Sequence, residues 1–123
     1  MKTALVIEDN VDNMELISLI LEKNGYKVLK AETGQQGFDV ALEARPDFIL
    51  LDIQLPDMDG LDVLRKIRSS KIDSGIRVIA MTSYAMVGDR EKMMAAGCNG
   101  YIEKPIDPEK VIGQIREIIG EKP

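Results

Sequence analysis

A chain of 123 residues has room for one domain, and its single cysteine, Cys98, rules out a disulfide within it. Acids outnumber bases by 21 to 16, a net charge of −5 that argues against a nucleic-acid surface, which needs a basic patch. No apolar run is long enough to cross a bilayer, the N-terminus enters a short strand pattern and not a signal peptide, and histidine is absent, so histidine chemistry must come from a partner. Cysteine usage and the lack of a membrane segment point to a reducing, cytoplasmic setting.

Residues 3–8 (Thr3-Ala4-Leu5-Val6-Ile7-Glu8) form an apolar run that ends at the acidic pair Glu8 and Asp9. A helical pattern follows to Asn24, with Leu16, Ile17, Ile20 and Leu21 on one face and Gly25 placed to stop it. Val11 and Met14 fall off that face and are expected to form a rim beside the acids, where a partner helix would lie. Residues 26–31 alternate as a second strand. Thr33 is placed to cap a helix over 34–44, which Gly37 weakens by about 1 kcal/mol relative to alanine and Pro46 ends.

Residues 47–51 read as a strand buried on both faces of a parallel sheet, and they deliver Asp52 where the strand leaves that sheet. Pro56, Asp57, Asp59 and Gly60 punctuate a loop, with the acids serving caps and turns. A helix over 60–68 carries Leu61, Leu64 and Ile67 on one side. A polar connector over 69–75 leads to a fourth strand, 76–81, ending at Thr82 and Ser83. The pattern then predicts a helix over 88–96 that stops at Gly97, and a short strand over 100–103 before Lys104 and Pro105. Asp107 is placed to cap the last helix with Pro108 at its first position, and Val111, Ile112, Ile115, Ile118 and Ile119 are its apolar face. Cys98 reads as a buried, inert thiol, and Met86, Met93 and Met94 as core filling around the fourth helix.

Five β-α units predict a parallel sheet with helices on both faces, joined by right-handed crossovers, with all 123 residues in one domain. In such a sheet the carboxyl ends of the strands share one edge, so Glu8, Asp9, Asp52, Thr82 and Lys104 converge there. Taken singly, each is an ordinary strand-end, cap or surface residue; together they are a site. Clustered carboxylates repel one another unless a cation joins them, and Mg²⁺ suits oxygen donors of this kind. Asp52 is then the candidate nucleophile toward a phosphoryl group. Lys104 and the metal spread the transferred charge, and the Thr82 hydroxyl hydrogen-bonds a phosphoryl oxygen.

Five motifs in order carry a family likeness: Leu5-Val6-Ile7-Glu8-Asp9-Asn10; Leu50-Leu51-Asp52-Ile53-Gln54-Leu55-Pro56 with Met58-Asp59-Gly60; Ala80-Met81-Thr82-Ser83; Ala96-Gly97-Cys98; and Tyr101-Ile102-Glu103-Lys104-Pro105. Over essentially its full length the chain resembles the receiver domains of two-component response regulators. The resemblance implies a flavodoxin-like, doubly wound five-stranded parallel sheet of order 2-1-3-4-5. It implies Glu8 and Asp9 as the acidic metal pair, with Asp52 and the Gln54 backbone carbonyl completing a site for Mg²⁺ or Mn²⁺. It implies Asp52 as phosphoacceptor, Lys104 and Thr82 as its helpers, Thr82 and Tyr101 as a switch pair, a cis bond before Pro105, and Gly60 as a structural glycine.

The phosphoryl donor is then a phosphohistidine on a histidine kinase or a histidine phosphotransfer protein, and the output is a contact with a downstream protein through the fourth helix, fifth strand and fifth helix. Gln54 and Tyr84 would flank the path of the hydrolytic water. No output segment follows the last helix, so the likeness is to a stand-alone receiver, monomeric or dimerising on phosphorylation, with no nucleic-acid or membrane partner. Its enzymatic character is limited to its own phosphorylation and dephosphorylation. Two other readings are a phosphorylation-independent interaction module and a metal-dependent phosphohydrolase. The hydrolase would want a second acid two residues past its nucleophile, where this chain has Gln54.

Overall fold

A computed structural model of the chain describes residues 2–70, 75–83 and 87–120; Tyr84 and Met86 lie outside the described residues. Strands and helices alternate as β1 (Thr3–Ile7), α1 (Val11–Lys23), β2 (Lys27–Ala31), α2 (Gly34–Ala44), β3 (Phe48–Asp52), α3 (Gly60–Arg68), β4 (Arg77–Thr82), α4 (Val87–Ala95), β5 (Gly100–Glu103) and α5 (Val111–Ile119). The five strands form one sheet in the order β2-β1-β3-β4-β5, parallel throughout. This is the flavodoxin-like arrangement expected from the sequence.

All five residues of β3 are buried, which explains both its unbroken apolar run and its central place. Its side chains alternate between the two faces. Phe48 and Leu50 join Ala4, Val6, Ile17, Leu21, Ile79 and Ile115 in the core beneath α1 and α5. Ile49 and Leu51 join Leu5, Ile7, Leu64, Ile67 and Met93 in the core beneath α2, α3 and α4. Each such fully buried side chain contributes about 1.5–3 kcal/mol relative to exposure. Gly37, costly for helix propensity, has a packing reason: a Cβ there would collide with the Ile7 side chain, so α2 sits close on β1 only because position 37 has none.

The caps largely follow the sequence. Asn10 accepts from the Asn13 amide, Thr33 from Gln36 and Asp59 from Leu61. Several details differ or stand out. Of the methionines expected to fill the core around α4, Met93 is buried but Met94 is 51% exposed. Met14 is not on a rim: only 8% of it is exposed and it packs in the α1 core, whereas Val11 is 65% exposed as expected. Met14 stands three residues before Ile17 and seven before Leu21, so it shares their helix face, whose buried stripe is Met14, Ile17, Ser18 and Leu21, with Leu16 and Ile20 at its margin. The helix α2 ends on Arg45 in the left-handed region, φ 47°, a task usually given to glycine. The last helix begins at Val111 and not at Pro108. Asp107 does accept from an amide, that of Glu109, and its carbonyl accepts from Lys110 and Val111, so residues 108–110 make a turn that leads into α5.

Candidate functional site

The sheet register brings the strand ends together. Ile7 of β1 pairs with Leu51 of β3, Asp52 pairs with Met81 of β4, and Thr82 pairs with Glu103 of β5. Glu8, Asp52, Thr82 and Lys104 therefore fall at one edge. The ladder carries on past each strand: the Glu8 amide donates to the Ala31 carbonyl, Ile53 to Met81 and Lys104 to Thr82, each at 2.8–3.1 Å. These bonds fix the backbone under each functional side chain.

Carboxylate oxygens of Glu8, Asp9 and Asp52 lie within 4.8 Å of one another. Glu8 and Asp52 are 1% and 2% exposed, and Asp9 faces solvent. The Lys104 ammonium stands over the buried two, 2.9 Å from Glu8 Oε1 and 3.2 Å from Asp52 Oδ2. The other oxygen of Asp52, Oδ1, accepts from the Gln54 amide at 3.0 Å. Thr82 is buried at the end of β4, and the Lys104–Pro105 bond is cis. Gly60 lies against the backbone of the acid strand. A Cβ there would come within 2.5 Å of the Asp52 carbonyl oxygen, and the Gly60 amide donates to the Ile53 carbonyl at 2.8 Å.

The electrostatics are unbalanced. Burial first, and then the neighbouring Asp52, push the Glu8 carboxyl up from 4.5 to about 7, against the pull of Lys104. Burial by itself would lower the Lys104 ammonium, but hydrogen bonds and charge from Glu8 and Asp52 outweigh it and raise it. The lysine gains from two acids, while Glu8 has one lysine to set against burial and a second carboxylate. Three carboxyl groups gather beside one ammonium, so with all three ionised two negative charges stand uncompensated. That donor set, all oxygen and partly open to water through Asp9, fits a hard divalent cation.

Of two neighbours of the site, the sequence left the partner of one unplaced and missed the other. Asp57, read among the acids that serve caps and turns, is a cap, but of a distant helix: its Oδ1 and Oδ2 accept from the Gly34 and Gln35 amides at 2.8 and 3.0 Å, tying the loop after Asp52 to the start of α2 and holding the Asp57 carboxyl below its usual range. Its offset from Gly34, 23 residues away, gave no local pattern to find it by. Arg90 of α4 was not singled out, yet it reaches Glu103 Oε1 at 3.0 Å and lies over the ring of Tyr101, 5.0 Å from its centroid. Tyr101 is half-buried, and Cys98 is buried with its thiol raised by desolvation, the inert state expected of it.

A buried acid pair under a lysine, at the carboxyl edge of a doubly wound parallel sheet, defines an α/β protein whose chemistry happens outside the strand ends. The response regulator receiver domain model matches residues 4–116, and the chain belongs to that family, whose work is phosphoryl transfer coupled to a conformational switch. It is 39% identical to the polar-differentiation response regulator DivK of Brucella anthropi, over 98% of both chains. It is 34% identical to the receiver domain of a Pseudomonas aeruginosa sensor histidine kinase, with a TM-score of 0.88 and 98% of each chain covered; that crystal structure has a magnesium ion coordinated in its active-site cleft. The chemotaxis regulator CheY4 of Vibrio cholerae superposes with a TM-score of 0.92 over 96% of this chain and 98% of that one, at 24% identity, a likeness of fold alone. No helix among the described residues is long and apolar enough to cross a membrane.

Proposed function

We propose that Asp52 is the phosphoacceptor of this receiver, taking its phosphoryl group from a phosphohistidine on a histidine kinase or histidine phosphotransfer protein. The observation that carries this reading is the double tether of a buried carboxylate: Asp52 Oδ1 is held by the Gln54 amide and Oδ2 by Lys104. A carboxylate so held presents a fixed nucleophile. In the transfer, an Asp52 oxygen bonds to phosphorus as the phosphorus–nitrogen bond of the donor breaks; the partner's imidazole leaves with the electron pair and takes a proton. Lys104 then meets the charge on the phosphoryl oxygens, and the Thr82 hydroxyl donates to one of them. Mg²⁺, or Mn²⁺, held by Glu8, Asp9, Asp52 and the backbone carbonyl of Gln54, supplies the remaining positive charge when bound.

The same reading makes Thr82 and Tyr101 a switch pair. Thr82 drawn toward the phosphoryl group makes room for Tyr101 to turn inward, and the surface of α4, β5 and α5 changes shape for a downstream protein. Residues 1–123 act as one receiver domain, cytoplasmic and without a separate substrate, as a monomer or as a dimer formed on phosphorylation. The test is incubation with phosphoramidate and Mg²⁺ followed by intact-mass measurement. Wild type is expected to gain one phosphoryl group and Asp52→Ala none. A stable adduct on both proteins, or on neither, refutes the assignment.

A further inference from the structure

One side chain of α4 engages both outward-facing residues of β5. Tyr101 and Glu103 are two apart, so they leave the same face of the strand. The Arg90 guanidinium spans the two, donating from Nη2 to Glu103 Oε1 at 3.0 Å while its Cζ stands 5.0 Å from the Tyr101 ring centroid. Its Nε is shut off from solvent with no acceptor among the described residues, the state of a guanidinium laid on an aromatic face in place of water.

The inner edge of the ring packs against the core beneath α2, α3 and α4, and the guanidinium covers its exposed face. Tyr101 borders two notches of about 340 and 360 Å³, both shared with Gln114 of α5, so open space lies on that side. A further cavity of about 80 Å³ lies beside Thr82, lined by Ile53, Leu61 and, from α4, Asp89, Lys92 and Met93. The ring has room on one side and α4 leaves a gap beside Thr82, so among the contacts from α4 the one from Arg90 ties the ring to the charged end of β5.

We propose that Arg90 is a positioning residue for the switch: a latch that keeps Tyr101 in its half-buried place, anchored through Glu103, and so sets how readily the unphosphorylated chain reaches the switched packing. The inference rests on the switch role proposed for Thr82 and Tyr101. A ring that turns toward Thr82 leaves the guanidinium behind, so the contact weights the equilibrium toward the resting form. Released at an exposed site, a contact of this kind shifts an equilibrium by about two- to fivefold.

The test uses the full chain as wild type, Arg90→Ala, Arg90→Lys and Glu91→Gln, the last an exposed neighbour on the same helix. Aromatic NMR of the metal-free, unphosphorylated protein reads the Tyr101 ring shifts and χ1 populations. Intact mass then follows the rate of phosphoryl uptake from phosphoramidate with Mg²⁺. Arg90→Ala is expected to move the Tyr101 resonances, mix its χ1 populations and raise the uptake rate about two- to fivefold. Arg90→Lys keeps a charge for Glu103 without the flat stack and falls between, and Glu91→Gln matches wild type. Unchanged Tyr101 signals in Arg90→Ala overturn the latch, as does an equal change in Glu91→Gln. If no form takes up a phosphoryl group, wild type included, the phosphoacceptor reading fails instead, and the ring signature alone decides the latch.

Discussion

Two cation–carboxylate clusters hang from consecutive residues at the end of β5, Glu103 its last and Lys104 the one that follows. Lys104 turns over the strand ends to Glu8 and Asp52, all but sealed from water; Glu103 turns the other way to Arg90, with both partners open to solvent. The distances are nearly the same, 2.9 and 3.2 Å in the first cluster and 3.0 Å in the second. Their consequences are not. In the buried cluster the carboxylates have lost their hydration and depend on the lysine, so removing one partner strands a charge. In the exposed cluster water stands in for either partner, and the pair contributes little beyond geometry. Closely similar distances can thus belong to a site that must be electrically completed and to a contact that only biases a conformation.

The largest effect that separates them is expected from Lys104→Ala. Metal-free, near neutral pH, it leaves Glu8 and Asp52 buried and facing each other without a cation, at a cost of about 3 kcal/mol in urea denaturation. A loss no greater than that of an exposed pair would erase the contrast.

The next effect is a pH dependence special to the buried cluster. The folded chain holds a proton on Glu8 up to about pH 7, against an ordinary 4.5 for the group when unfolded. The stabilisation linked to that proton is full below about 4.5 and is lost as pH rises through about 7. Metal-free protein is therefore expected to be less stable at about pH 8 than at about pH 4.5, by on the order of 2–3 kcal/mol from this group. Glu8→Gln flattens that slope, and denaturation midpoints across the range measure it. A slope unchanged by the substitution would move the source of the dependence elsewhere.

The smallest effect belongs to the exposed pair. Glu103→Gln is expected to cost less than about 1 kcal/mol, and the difference from wild type should fade in high salt, where exposed charges are screened. A loss that survives high salt would mean that Arg90 and Glu103 are less open to water than their exposure indicates.

Most of the architecture was written into local patterns. The apolar run of β3, the acids that end β1 and the caps at Thr33 and Asp59 each depend on neighbours a few residues away, and the structure bears them out. The acidic edge was legible because parallel topology forces every strand end to one side, so Glu8, Asp52, Thr82 and Lys104 had to meet. What escaped depends on how separate elements are set against each other. Met14 is the exception, since its spacing to Ile17 and Leu21 (i, i+3 and i+7) already put it on the buried face; the regular part of α5 starts late because Asp107 closes a turn first. Asp57 caps a helix that precedes it in the chain, and Arg90 finds its aromatic partner only once α4 lies beside β5.

The tight seat of Gly37 against Ile7 has a bearing beyond packing. Ile7 is the last residue of β1, so the next one along is Glu8. A single methyl group added at Gly37, on a helix that carries none of the reactive groups, would meet the Ile7 side chain, which would have to give way one residue short of Glu8. The strand that carries the acidic rim is thus seated against a helix that leaves no space for added bulk at this point, a constraint set by a residue with no side chain at all.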